Sequence, residues 1–348
     1  MNKLIIIFKQ LVQIASPSGQ EKLISLYLKK WLEKNHFLFK TDKVGNIYAH
    51  NQISGQPLLL CAHMDTVQPG ENICPIIKNG VIKSSGDTIL GADNKAAIAA
   101  LLSVLEENKI NRPLELIFSV KEETGGGIEH FPFAWVKSKL ALVFDSANPP
   151  GGIVLRSPHI INFYVEVIGK AAHASQPNQG VNALTFTLQL INQLKTGVLE
   201  KGETGINIGT IQGGTGINTV PETIKYSGEI RSYDEILFKN HLKKIYQVHQ
   251  KQLPAKIKFS TDGYCAGYTH QKNNKTIQAI DKIYKSLNLK TQYYQFSGVS
   301  DANVLHQHEI VTINLTDGVK YPHTVQEQMS IKDLVQLSKI IKEVIAVL

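Results

Sequence analysis

The chain is 348 residues long, 43% hydrophobic and 19% charged, which excludes a disordered or fibrous protein. At about 100–200 residues per domain, two domains are the first expectation. Its 37 basic residues outnumber 29 acidic ones for a formal net charge of +8, yet only Arg112, Arg156 and Arg231 are arginines. The lysines are scattered and no nucleic-acid motif is present, so the charge reads as a solvated lysine surface and no nucleic-acid partner is expected.

Cys61, Cys74 and Cys265 are odd in number and widely spaced, which argues for a reducing compartment and against a disulfide framework. In chain order, residues 4–14 read as an amphipathic helix whose apolar run is too short for a signal peptide. A second helix carries Leu23, Ile24 and Leu28 on one face. No stretch approaches the roughly 18 apolar residues of a membrane span, so a cytoplasmic protein without a membrane partner is expected. Residues 58–62, 114–120 and 140–144 are continuous apolar runs and read as buried strands, with a helix over 95–105 between the first two.

From residue 163 the rhythm changes to strand, helix near 181–194, strands near 206–211 and 223–230, and a helix through 242–248. After Gly263 the α/β pattern returns, with a helix over 275–287, a strand at 310–315 and a closing helix at 331–348. The expected architecture is an α/β fold with a mixed sheet and helices on both faces, built from residues 1–154 and 263–348. A smaller α+β unit of βαββαβ type, residues 155–262, interrupts it.

The residues that follow the strands carry the chemistry. His63 and Asp65 follow the first apolar run, Glu122 and Glu123 the second, and Asp145 the third; His323 lies shortly past 310–315, and Asp93 directly precedes a helix. Ligands of open α/β sheets bind beyond the carboxyl ends of the strands, so these side chains converge on one sheet edge. Singly, each has an ordinary reading, Asp93 as a helix N-cap and the Glu-Glu pair as a solvated loop. Together they describe a metal site. Imidazoles and carboxylates suit zinc, cobalt or manganese. Five donors exceed one tetrahedral ion and suit a pair about 3.5–4 Å apart that shares a carboxylate, activates water and polarises a carbonyl. Glu122, beside a donor but not needed as one, can serve as general base. Asp65 can hydrogen-bond the free nitrogen of His63.

The ordered motifs SPSGQE (16–21), AHMDTV (62–67), GADNKAAIAALL (91–102), KEETGGG (121–127) and FDS (144–146) span the first half of the chain. GKAAHAS (169–175), GGTGINTVP (213–221), EIRSYDE (229–235), SGVSDAN (297–303) and PHT (322–324) complete the set. The glycine-rich stretch at 213–216 lacks the phosphate-loop pattern and reads as a turn between strands. As a whole the chain resembles the co-catalytic dizinc exopeptidase and deacylase family that includes peptidase T, carboxypeptidase G, succinyl-diaminopimelate desuccinylase and aminoacylase. The match is strongest to its peptidase T-like, tripeptide aminopeptidase branch.

The resemblance implies a zinc-peptidase catalytic domain with an inserted lid and dimerisation domain. Asp93 then bridges two divalent ions, zinc before cobalt or manganese, with His63 and Asp145 completing one site and Glu123 and His323 the other. Glu122 is the general base, Asp65 orients His63, and a cis peptide follows Asp93. His173 stabilises the oxyanion, its own or across a homodimer, while Asn218, Arg231 and Gly298 bind substrate. An ordinary surface ion pair of Arg231 with Asp234 or Glu235 is the competing reading. Peptidase T itself carries His-Pro-Gly where this chain has His173-Ala174-Ser175, a departure that bears on peptide length and not on the chemistry. The implied reaction is hydrolysis of the N-terminal bond of short peptides; an N-acyl-amino-acid deacylase or a carboxypeptidase uses the same site, and a non-catalytic peptide-binding scaffold is a third reading.

Overall fold

The computed structural model describes residues 2–348. The chain forms two compact units, Met1–Arg156 with His270–Leu348, and Ser157–Thr269.

The first unit is organised by a mixed sheet. Strands Leu114–Ser119, Leu58–His63, Leu140–Phe144 and Val311–Leu315 lie side by side and parallel at its centre. Leu38–Thr41 and Ile47–His50 extend it antiparallel on one side, and Gly152–Ser157 pairs antiparallel with Val311–Leu315 on the other. The two strands Leu58–His63 and Leu114–Ser119 are buried along their whole length, including Glu115, whose carboxylate accepts from the Tyr48 hydroxyl at 2.7 Å. Alternation assigns the faces. Leu58, Leu60 and Ala62 join the core formed with helices Asn2–Gln13, Lys22–Lys34, Ala92–Glu107, Lys275–Ser286 and Ile331–Val347. Cys61 faces the other way, its thiol donating to Asp301 at the start of the short helix Asp301–Gln307.

Helix Ala92–Glu107 is buried over nearly all its length. Its alanines let it sit within the helical layer against the helices Asn2–Gln13 and Ile331–Val347. A separate four-stranded sheet contains Pro75–Lys78, Val81–Ser84, Gln328–Ser330 and Val319–Lys320. The short strands Pro75–Lys78 and Val81–Ser84, like Leu38–Thr41, carry apolar runs too short to announce them in the sequence.

The second unit is an antiparallel sheet ordered Gly197–Leu199, Thr204–Gly213, Thr223–Ser232, His159–Ile168, Lys256–Cys265. Phe163, Val165 and Val167 point into a core with Leu190 of helix Ala183–Ile191 and Phe238, Ile245 and Val248 of helix Glu235–His249. Tyr164, between them, is exposed, so the helices cover one face of this sheet. The mixed α/β sheet and the inserted βαββαβ unit are as the sequence implies. The helix expected at 242–248 begins earlier, at Glu235, where the Asp234 carboxylate accepts from Leu237 N at 2.8 Å.

Candidate metal centre

The centre is assembled at the carboxyl ends of the parallel strands. His63 ends strand Leu58–His63, Glu122 and Glu123 follow Leu114–Ser119, Asp145 follows Leu140–Phe144, and His323 lies beyond Val311–Leu315. Asp93 comes from the start of helix Ala92–Glu107, where Asp93 and Asn94 leave helical geometry and Gly91 precedes them at φ 67. The Asp93 side chain makes no helix cap, and the Asp93–Asn94 peptide is cis, as the resemblance implies.

Among the described residues, donor atoms of His63, Glu122 and Asp145 lie within 4.8 Å of one another, as do those of His63, Asp93 and Glu123. His63 Nε2 is 3.2 Å from Asp93 Oδ1. His323 Nε2 is 2.9 Å from Glu123 Oε2 and 3.7 Å from Asp93 Oδ2. All five donors named from the sequence are therefore brought together, with Glu122 standing beside His63 and Asp145 as a further carboxylate.

Asp65 does more than its spacing suggests. His63 Nδ1 donates to the Asp65 main-chain oxygen at 3.0 Å, while the nearest carboxylate oxygen is 3.4 Å away. The fully buried carboxylate accepts from Glu122 N at 3.0 Å, Glu123 N at 3.2 Å and the Ser18 hydroxyl at 2.7 Å. One side chain thus holds the His63 strand end and the Glu122–Glu123 turn together.

Further residues, unmarked by any spacing, secure the loops. Glu21 Oε1 accepts from Gly19 N at 2.7 Å and Lys121 N at 3.1 Å. Asn314 accepts from Asp145 N at 3.0 Å and donates to Asp145 O at 2.9 Å, and Asn94 donates to Phe144 O at 2.5 Å. Glu327 accepts from Gly91, Ala92 and Asp93 main-chain N–H groups. Each acts on main-chain atoms of a loop distant in sequence, so the residue type alone gives no signal. Lys121 at φ 53 and His323 at φ 61 are left-handed without being glycine. Such conformations cost about 1–3 kcal/mol each and persist only where surroundings enforce them.

Burial and mutual repulsion dominate the electrostatics of the clustered carboxyls. Burial, then the Asp145 carboxylate and those of Asp301 and Glu123, hold the Glu122 carboxyl well above its ordinary range, with His63 opposing. Burial and the neighbouring Asp93, Asp317 and Glu123 do the same to Asp145. For His63, burial disfavours the cation, but hydrogen bonds to Asp65 and Asp93 outweigh it and raise the imidazole well above its usual value. These are carboxylates that cannot all ionise next to one another without added positive charge. An imidazole and carboxylate set of this size fits two dications, which displace protons from the ligands they bind.

On the inserted unit, His173 is exposed, with Nδ1 2.8 Å from Ser175 Oγ. Main-chain pairing brings its segment beside Asn218, since His173 bridges Thr219 and Ala174 N donates to Asn218 O at 2.9 Å. Arg231 lies on strand Thr223–Ser232 and pairs with a carboxylate of its own strand. Its guanidinium forks onto Glu229, with Nε 2.7 Å from Oε1 and Nη2 3.0 Å from Oε2, and Glu235 is taken by Lys239. Residues 229 and 231 share a face of the strand, which explains the choice of partner. Gly298, in the first unit, is half-buried, and a Cβ there would meet the Phe296 ring at 3.3 Å.

A mixed sheet with imidazole and carboxylate groups at its strand ends, a further carboxylate beside them and an inserted α+β unit fits a class of metal-dependent hydrolases. The family model described as the M20 peptidase dimerisation domain matches residues 157–256. Over 97% of this chain and 96% of its own length, the protein YqjE of Bacillus subtilis (strain 168) is 28% identical. Among solved structures, the aminopeptidase PepT from Bacillus cereus ATCC 10987 superposes with a TM-score of 0.92 at 27% identity, over 99% of this chain and 97% of that one. A tripeptidase (SAV1512) from Staphylococcus aureus subsp. aureus Mu50 gives 0.92 at 30% identity, over 99% and 98%. The chain belongs to the M20 peptidase family, in its peptidase T-like branch.

Proposed function

We propose that this protein is a two-zinc aminopeptidase that cleaves the N-terminal bond of short peptides, tripeptides among them. The observation that carries the reading is the convergence of His63, Asp93, Glu123 and Asp145 with Glu122 beside them. The likeness along essentially the whole chain to an aminopeptidase and a tripeptidase supports it.

His63, Asp93 and Asp145 would hold one ion and Asp93, Glu123 and His323 the other. Bound there, the ions supply Lewis acidity to the scissile carbonyl and lower the pKa of water. Glu122 takes a proton from the attacking water as its oxygen bonds to the carbonyl carbon. It returns that proton to the leaving amine as the C–N bond breaks. Asp65 fixes the direction of both His63 and the Glu122–Glu123 main chain. His173 is assigned to the oxyanion, and Asn218, Arg231 and Gly298 to the substrate; for Arg231 a substrate carboxylate would replace Glu229 in the fork. We further propose a homodimer formed through the inserted unit, and a cytoplasmic location in which the three free cysteines stay reduced.

The test is Glu122→Gln assayed on a free tripeptide, its N-acetyl derivative and an N-acyl amino acid. The variant should bind metal as the parent does and lose at least about 100-fold in kcat. The parent should prefer the free amine. Parental turnover by the variant, or preference for the acylated substrates, sinks the assignment.

A further inference from the structure

Two loops that carry metal donors are joined by a residue that is itself no donor. Glu327 lies four positions beyond His323 and is 1% exposed. Its carboxylate accepts three successive main-chain N–H groups from the opposite half of the discontinuous unit. Gly91 N is 2.7 Å from Oε2, and Ala92 N and Asp93 N are 2.8 and 3.0 Å from Oε1. Successive N–H groups following a left-handed residue form a concave anion cradle. Here Gly91 supplies the left-handed step at φ 67, and a Cβ on it would press on Thr66 and Ile73 at 3.3 and 3.4 Å. The protein fills this cradle with its own carboxylate. Nearby, the buried Lys95 Nζ donates to Ile14 O at 2.8 Å.

An ordinary helix cap would satisfy the same three donors. The difference lies in what the capped residue carries. The third N–H belongs to Asp93, whose carboxylate reaches both His63 and His323. The Glu327 N–H itself donates to Thr324 O at 3.0 Å, adjacent to His323. A single carboxylate therefore fixes the main chain of Asp93 relative to the turn that presents His323. We propose that Glu327 is a positioning residue of the metal centre, setting the separation of Asp93 and His323 from outside the donor set. The inference rests on the two-metal reading above.

The test compares the parent with Glu327→Gln, Glu327→Asp and Glu327→Ala, with Leu337→Ala as a control that weakens the buried core of the C-terminal helix. Metal-free proteins are first compared by circular dichroism and urea unfolding. Cobalt and zinc dissociation constants are then measured by chelator competition, together with the visible spectrum of the cobalt-loaded protein. Glu327→Gln should fold as the parent does, lose about 10–100-fold in metal affinity and show an altered cobalt spectrum. Glu327→Asp should recover part of the loss seen with alanine, and Leu337→Ala should leave affinity and spectrum unchanged. Parental affinity and spectrum in both the glutamine and alanine variants overturn the proposal. So does a loss in Glu327→Gln that Leu337→Ala reproduces at equal destabilisation. A parent that takes up no metal overturns the two-metal reading and this inference with it, whereas two ions in the parent and parental dissociation constants in every variant overturn this inference alone.

Discussion

Single residues in this molecule are held in their protonation states by what surrounds them, and His249 shows it away from the metal centre. Its ring is 4% exposed, its Nδ1 donates to Ile245 O at 2.7 Å, and the Tyr226 hydroxyl is 2.5 Å from Nε2. A carbonyl can only accept, so Nδ1 bears the proton and Nε2 receives the tyrosine hydroxyl; burial lowers the pKa below that of a free histidine. The folded state therefore favours the neutral ring. The stability this contributes is full above the unfolded value of about 6.5 and is lost as pH falls below it. Ring-carbon NMR should place the His249 midpoint below that of a free histidine, and a midpoint above 6.5 would contradict the arrangement. At the candidate metal centre, His63, Asp93 and Asp145 were legible because each sits at or directly beside a strand or helix end, and Glu123 and His323 because they lie in the loops that follow apolar strands. Glu21, Asn314 and Glu327 were not, because their work is done on main-chain N–H groups that every residue possesses. Arg231 shows a third case: its type announced a clamp, but its Glu229 partner depends on strand alternation.

At the scale of elements, the strands of the first unit that were most readable are those buried on both faces. Leu58–His63 and Leu114–Ser119 are predominantly apolar because no side of them meets water. Leu38–Thr41, mostly exposed at the sheet edge, has no such pattern and was invisible. Helix Glu235–His249 was placed late because its first turn keeps Ile236 71% exposed, which blurs the amphipathic period. Close approach between strands supplies a test confined to the inserted unit. A Cβ at Gly228 would lie 2.2 Å from Asn207 O and 2.4 Å from the Phe163 ring. Gly228→Ala should thus destabilise that unit by at least about 1–3 kcal/mol, the range for overpacking a fitted site. Urea unfolding would register the loss, while zinc binding by the first unit should stay parental. Unchanged unfolding would show that the sheet can open at this position without difficulty.

For the whole molecule, the discontinuous unit explains why the chain's two ends matter to one centre. Asp93 and Glu327 are 234 residues apart from donor to acceptor, and no local pattern can forecast that pairing. The net charge of +8, by contrast, proved uninformative about the site, since the clustered charge there is negative. A basic surface around an acidic centre is compatible with steering anionic peptides toward dications, but the centre itself must supply the chemistry. Metal loading measures that most directly. Chelator-stripped protein should be titrated with zinc while bound metal and tripeptide hydrolysis are followed together. The account predicts two ions per chain at saturation, no hydrolysis in the stripped protein, and activity that returns as the ions bind. One ion or none at saturation, or full hydrolysis without metal, would contradict it.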